Sequence, residues 1–101
     1  MKLIIVLGIK EIQGELNKVF KEMKIPIFSK VDIEGFKTEE NVADMSNWFG
    51  NHKESDFSVM FFTFVHTKDA DAILKDINKL NLSKNRIRPF HAFQMPVEKF
   101  V

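Results

Sequence analysis

The sequence contains no cysteine and no tyrosine, and it has only four glycines and three prolines in 101 residues. Without cysteine there is no disulfide framework, no thiol nucleophile and no thiolate metal site. No apolar run approaches the ~20 residues that a membrane-spanning helix needs. The apolar residues 3–9 lead directly into Lys10 and Glu11, without the small-residue cleavage site of a signal peptide. These absences predict a cytoplasmic protein with no membrane insertion.

An excess of either charge is missing as well. Lysine and arginine number 15 against 14 acidic residues, which gives a formal net charge of +1. This balance gives the chain as a whole no attraction for nucleic acid or anionic lipid. Hydrophobic residues make up 45% of the chain and charged residues 29%, as in ordinary globular domains. The length suits one domain, so residues 1–101 are interpreted as a single domain.

The first half of the chain predicts a strand, a helix and a second strand. Residues 3–7 form an apolar run bounded by Gly8, which is typical of a buried strand. Apolar residues at helical spacing predict a helix over about residues 10–24, and Pro26 ends it. Apolar and polar residues then alternate from Ile27 to Ile33, as in a half-buried strand that closes at Gly35. The helical stripe consists of Ile12, Leu16, Val19, Phe20 and Met23.

The second half repeats this order after a long polar loop over residues 36–55. A strongly apolar strand covers residues 57–65, and Thr67 is suited to cap the helix that follows. A basic turn over 81–88 leads to a last strand over 89–95. The order predicts an α+β fold, a ferredoxin-like βαββαβ sandwich with a four-stranded antiparallel sheet and two helices on one face. The stripe of the second helix consists of Ala70, Ile73, Leu74, Ile77 and Leu80.

Two of the predicted strands are apolar on both sides. Two helices cover only one face of a four-stranded sheet, and the other face of an antiparallel sheet is usually polar. The second apolar face therefore needs a cover, and self-association through the sheet is the simplest one. The alternative is an unusually apolar monomer. In the strand at 57–65, one side carries Phe57, Val59, Phe61 and Val65, and the other carries Met60, Phe62 and Phe64.

The basic turn places three cations within five residues, Lys84, Arg86 and Arg88. Arginine side chains suit phosphate and carboxylate groups, so the turn predicts a contact with a small anion. The alternative is a solvated helix end, where the helix dipole favours cations in any case.

The long loop contains a possible anchor for a protein partner. Val42, Met45 and Phe49 fall at helical spacing, and Trp48 is adjacent. A short amphipathic turn that exposes Trp48 would suit a partner, because tryptophan is enriched in interface hot spots. The predicted partner-binding residues are therefore Met45, Trp48 and Phe49. The alternative is that this turn packs on its own domain or on a neighbouring subunit.

Two segments resemble the PII nitrogen-regulatory proteins and their PII-like relatives in signal transduction. Residues 29–36 (Ser-Lys-Val-Asp-Ile-Glu-Gly-Phe) are similar to the strand before the family's interaction loop, and residues 93–98 (Phe-Gln-Met-Pro-Val-Glu) are similar to the end of its last strand. The resemblance implies a homotrimer that binds a small anionic effector, a nucleotide or similar, in clefts between subunits. It also implies a protein partner on loop 37–55. The implied effector contacts are Ser29, Gly35, Phe36, Lys37, Lys84, Arg86 and Arg88.

The chain departs from the family pattern at two places. The family's phosphate-binding loop is rich in glycine, whereas residues 82–88 contain none. Gly35 and Phe36 are followed by Lys37, where the family has a second glycine. We therefore expect an effector other than ATP, or none.

Other functions find less support in the residues. No nucleophile–base pair and no carboxylate pair stands out, so no enzyme activity and no cofactor are expected. His66 and His91 are predicted near opposite ends of the sheet, so no metal site is expected within one protomer. The basic-glycine opening of RNA-recognition domains is missing from the third strand, so no nucleic-acid partner is expected. A second hypothesis is a structural or metal-linked interaction module of the same fold without an effector site.

Overall fold

The computed structural model describes residues 1–36, 55–85 and 88–101. Within these ranges the elements follow the predicted order. The four strands are β1 (Lys2–Ile9), β2 (Ser29–Phe36), β3 (Ser55–Val65) and β4 (His91–Pro96). The two α-helices are α1 (Gln13–Glu22) and α2 (Thr67–Lys84), and a 3-10 turn at Lys10–Ile12 precedes α1.

The strands form one antiparallel sheet in the order β2-β3-β1-β4. β1 lies between β3 and β4, so that Ile5 pairs with Phe62 on one side and with Phe93 on the other. β2 and β4 are the edges of this described sheet. The predicted α+β, ferredoxin-like βαββαβ sandwich is therefore confirmed.

Both helices pack on the same face of the sheet and enclose the hydrophobic core. Three phenylalanine rings join α1 to the sheet: the ring centroid of Phe20 lies 4.9 Å from that of Phe28 and 5.8 Å from that of Phe61. The two helical stripes predicted from the sequence supply the helical part of this core. The buried core consists of Ile4, Val6, Leu16, Phe20, Val59, Phe61, Ala70, Ile73, Ile77 and Phe90.

The helix boundaries differ from the predicted ones. The first turn of the helix predicted over 10–24 is a 3-10 turn, and α1 ends at Glu22 because Lys24 adopts the left-handed conformation with φ 59°. α2 continues to Lys84, so the first part of the predicted basic turn is helical. In the part of the chain that the structure describes, no helix is both long and apolar enough to cross a membrane.

The predicted helix cap at Thr67 is wrong. His66 occupies the N-cap position of α2 and makes no capping hydrogen bond with its side chain. Thr67 is the first helical residue, and its hydroxyl oxygen accepts a hydrogen bond of 2.9 Å from the amino group of Met1. The hydroxyl therefore ties the start of β1 to the start of α2.

The edge strand β2 presents its apolar side away from the helices. Lys30 pairs with Phe61, which faces the helices, so Lys30 and Asp32 lie on the helix side of β2. Val31 lies on the other side and is 43% exposed. The predicted alternation is therefore present, but the apolar set does not join the core under the helices.

The polar side chains of β2 form a small ion cluster with the 3-10 turn. Lys10 Nζ lies 3.0 Å from Asp32 Oδ2, and Lys30 Nζ lies 3.7 Å from Asp32 Oδ1. The hydrogen bond from Lys10 is the largest effect and lowers the pKa of Asp32 below its ordinary value of 3.8. Desolvation opposes this shift, and the charges of Lys10 and Lys30 lower the pKa further. The cluster attaches the edge strand to the segment between β1 and α1.

A glycine in β1 makes room for an aromatic ring from the segment before β4. A Cβ atom at Gly8 would overlap Cδ1 of Phe90 and would lie 2.6 Å from its Cε1. Phe90 is 3% exposed and belongs to the core. Any side chain at position 8 must therefore displace this ring.

Replacing Gly8→Ala should lower the free energy of unfolding by about 1–3 kcal/mol, because overpacking shifts a buried ring. Urea denaturation at one fixed protein concentration measures the change. Gly14→Ala is the matched control, since an added Cβ there meets no heavy atom within 4 Å. Gly14 lies in α1, so this control should gain about 0.5–1 kcal/mol. Equal effects of the two substitutions would contradict the contact between Gly8 and Phe90.

Asp32→Asn should reduce stability at neutral pH and have progressively less effect as the pH is lowered. Because folding lowers the pKa of Asp32, its contribution is fully present above the unfolded pKa and is lost as the pH falls through the folded pKa, which lies below 3.8. Melting temperatures of both proteins between pH 7 and about pH 3 measure this difference. Lys10→Met should make the effect of Asp32→Asn smaller, since it removes the principal partner. An effect of Asp32→Asn that does not change with pH would refute this assignment.

Candidate functional site

The predicted basic residues lie at the end of α2 and in the segment between α2 and β4. A side chain of α2 joins the two ends of this segment by hydrogen bonds. Nδ2 of Asn81 donates a hydrogen bond of 2.8 Å to the carbonyl oxygen of Phe90. Oδ1 of Asn81 accepts one of 2.9 Å from the backbone N–H of Phe90. The Asn81 amide thus pairs with Phe90 as a neighbouring backbone would, and the ring of Phe90 is fixed in the core beside Gly8. The two ends of the segment are therefore held together.

The predicted cations occupy different positions on this segment. Lys84 is the last residue of α2 and is exposed. Asn85 follows in the left-handed conformation with φ 47°, and its N–H donates to the carbonyl of Leu82 at 3.2 Å. Arg88 is half-buried, while Arg86 lies outside the described residues. Asparagine tolerates this conformation better than most residues, which explains how α2 ends at this point without a glycine.

An open cavity of about 360 Å³ lies between the C-terminal end of α2 and the start of β4. Its polar lining comes from Asn78, Asn81, Asn85 and His91. No carboxylate belongs to the described lining, so an anion in this cavity would meet amide donors without an opposing negative charge.

The other predicted effector contacts lie on β2, at its two ends. Ser29 is the first residue of the strand, whereas the buried Gly35 and the exposed Phe36 are its last two. Gly35 follows Ser29 by six positions of extended strand, which corresponds to about 20 Å. One protomer therefore cannot bring both to the same small effector. Lys37 lies outside the described residues.

Gly35 and Phe36 lie at the same end of the sheet as the basic segment, but on the opposite edge. β2 runs antiparallel to β3, β3 to β1, and β1 to β4, so β2 and β4 run in opposite directions and β2 ends at the end of the sheet where β4 begins. Three strand spacings separate the two edges, about 14 Å. Within one protomer, the contacts predicted on β2 and the cations near β4 thus form two separate groups.

The described residues include neither the predicted partner-binding residues nor a group of side chains placed to hold a metal ion. The predicted partner-binding residues Met45, Trp48 and Phe49 lie outside the described ranges. His66 follows β3 and His91 begins β4, so the two lie at opposite ends of the sheet, as predicted. Among the residues described, no group of three histidine, aspartate or glutamate side chains is placed to hold a metal ion.

The sheet face turned away from the helices, here called the open face, is apolar on all four strands. Along the described strands, Asp56, which pairs with Gly35 at one end of the sheet, is the only aspartate, glutamate, lysine or arginine that the register places on this face. Phe64 is 55% exposed and Met95 is 41% exposed on this face. The register places these residues on it: Leu3, Ile5, Leu7, Ile9, Ser29, Val31, Ile33, Gly35, Asp56, Ser58, Met60, Phe62, Phe64, His91, Phe93 and Met95.

The prediction that the central strands are apolar on both sides is confirmed. Val59 and Phe61 are fully buried under the helices, while Met60, Phe62 and Phe64 lie on the open face. From the strand spacing and the rise per residue, the open face measures on the order of 400 Å² in plan. Apolar patches of this size are among the largest that monomeric proteins expose, and they often mark interaction sites.

Two features of these surfaces were not found by sequence reasoning. The Asn81–Phe90 bond joins residues nine positions apart, and no local pattern marks such a pair. Phe93 and Met95 extend the open face onto β4, which the alternation along residues 91–95 could have indicated.

Comparison with known proteins identifies a shared fold. No protein-family model matches the chain, and no curated protein matches it. The crystal structure of a DUF3240 family protein from Shewanella baltica OS155 is similar, with a TM-score of 0.67 over 99% of this chain and 92% of that chain. The two sequences are 17% identical, so the similarity is one of fold alone.

Proposed function

We propose that this chain is a PII-like regulatory protein that acts by binding and not by catalysis. Three copies assemble through the open face, a small anionic effector binds between neighbouring subunits, and loop 37–55 engages a protein partner. The open face carries this proposal. It is a large apolar surface whose one charged residue on the described strands, Asp56, lies at its end, and no described element of the same chain covers it.

Self-association explains why the central strands are apolar on both sides. Side chains such as Phe62 and Phe93 would lose water on contact with the open faces of other copies, and the burial of apolar area drives such assembly. The number of three copies rests on the resemblance to the PII family.

The positions of the predicted effector contacts support a site built by two protomers. Gly35 and Phe36 are the last residues of the edge strand β2. Lys84 and Arg88 precede the opposite edge strand, β4, at the same end of the sheet. In the ring that we propose, the β2 edge of one protomer would lie next to the β4 edge of its neighbour. Such a contact would bring together groups that lie about 14 Å apart within one protomer.

Effector binding can influence the partner loop because that loop begins directly after Phe36. An anion held by Lys84 and Arg88 of one subunit would contact the loop base of the next. Its effect on the partner depends on contacts that differ between two arrangements of the loop. If no anion binds, the second hypothesis, a structural or metal-linked interaction module, is the better account of the same fold, and the absence of glycine from residues 82–88 favours it.

Phe62→Asp should convert the assembly into monomers or insoluble protein, because it places a charge in the middle of the open face. Multi-angle light scattering at micromolar concentration measures the mass. Phe100→Asp is a matched control, since Phe100 is 71% exposed and lies beyond β4. This control should keep the mass of the unmodified protein. A monomeric unmodified protein would refute the assembly.

Arg86→Ala combined with Arg88→Ala should abolish effector binding and leave the assembly intact. Each charge-assisted contact is worth roughly 1.5–3 kcal/mol, so two losses weaken binding about a hundredfold or more. Thermal-shift screening of nucleotides, phosphate and carboxylates identifies the effector, and calorimetry then measures its affinity.

Lys79→Ala is the control for this pair, because Lys79 is an exposed cation within α2, away from the basic segment. It should not change the affinity. Failure of every anion to bind the unmodified protein at millimolar concentration would leave the basic segment as a solvated helix end.

A further inference from the structure

A second cavity, of about 310 Å³, lies at the end of the sheet opposite the basic segment. The end of α1, the residues before β2, the end of β3 and the first turns of α2 enclose it. Its walls are mainly apolar and include Ile25, Pro26, Phe64 and Ile73. None of the predicted effector contacts that the structure describes lines it. The volume is at the lower end of the range for small-molecule sites, so a compact ligand suits it.

Two opposite charges face this cavity from different elements. Lys24 lines it after the end of α1, and Asp69 lines it from the first turn of α2. Both are exposed, and neither forms an ion pair with another described residue. The cavity thus combines two side chains of opposite charge with apolar walls, and it is also lined by His66 and by Met1, whose amino group donates to the hydroxyl of Thr67.

The backbone at Lys24 has an unfavourable conformation for a lysine. Its φ of 59° lies in the left-handed region, where helix ends usually carry glycine. The N–H of Ile25 bonds the carbonyl of Phe20 at 3.0 Å, and the N–H of Lys24 bonds that of Lys21 at 3.1 Å. Glycine would form the same bonds without strain. Strained residues cluster at functional sites, so this conformation favours a functional role for the lysine side chain.

We propose that this cavity binds a free α-amino acid with an apolar side chain. The ligand's ammonium group faces Asp69, its carboxylate faces Lys24, and its side chain packs against Met23, Ile25 and Ile73. A zwitterion satisfies both charges at once. An apolar acid places a like charge near Asp69, and an apolar amine places a like charge near Lys24. All contacts come from one chain, so the site does not rest on the proposed assembly or on its anionic effector.

Calorimetry of the full chain with leucine, isoleucine, valine, methionine and phenylalanine tests the ligand class. At least one should bind with a dissociation constant of about 1 mM or tighter, as expected for so small a ligand. If leucine binds, 4-methylpentanoate lacks only its ammonium group and 3-methylbutylamine lacks only its carboxylate. Each should bind about tenfold more weakly or worse, because a charge-assisted contact is lost. No binding of any amino acid at about 10 mM, or equal binding of the acid analogue, overturns the proposal.

Lys24→Gly separates binding from folding. It should raise the melting temperature of the free protein, because glycine adopts the left-handed conformation without strain, and it should abolish amino-acid binding. Asp69→Asn should also abolish binding. Lys68→Ala is the matched control, since Lys68 is an exposed cation in the same first turn that does not line the cavity, and it should keep the affinity. Full affinity in Lys24→Gly overturns the proposal, and light scattering of each variant shows the mass independently.

Discussion

The rest of this structure depends on a mismatch between the sheet and its helices. β1 and β3 carry apolar side chains on both faces, while α1 and α2 cover only one. On the covered face, Phe20 of α1 packs against Phe61 of β3, and the core lies enclosed between the helices and the sheet. On the open face, Ile5, Phe62 and Phe93 lie side by side with no described element above them. Because burial of apolar area is the dominant favourable term in folding and assembly, the open face favours contact between copies.

Burial of both faces would leave the ends of the sheet for ligands. The basic segment with Lys84 and Arg88 lies at one end, and the cavity lined by Lys24 and Asp69 lies at the other. α2 spans the whole distance between them, from its first turn at the cavity to its last residue at the basic segment. Polar groups at these ends remain in contact with water, so they carry no desolvation cost until a ligand binds.

At each end, a fixed backbone feature determines where the charged side chains are. The double hydrogen bond between Asn81 and Phe90 closes the basic segment, and the ring of Phe90 fits only because Gly8 has no side chain. At the opposite end, the left-handed turn at Lys24 stops α1 and directs the chain towards β2. Both features position charges on short segments that are anchored to core residues, Phe90 at one end and Phe20 at the other.

The sequence by itself determined the order of the elements, the two helical stripes and the two-sided apolar character of the strand that contains Phe61 and Phe62. These follow from periodicity, which is a local property and reports which residues avoid water. Only the tertiary structure decided which side of β2 faces the helices, that Ser29 and Gly35 lie about 20 Å apart on one strand, and that Lys24 faces the same cavity as Asp69. The physical reason is that such relationships depend on strand register and on packing between segments distant in the chain, and local hydrophobic patterns do not encode either.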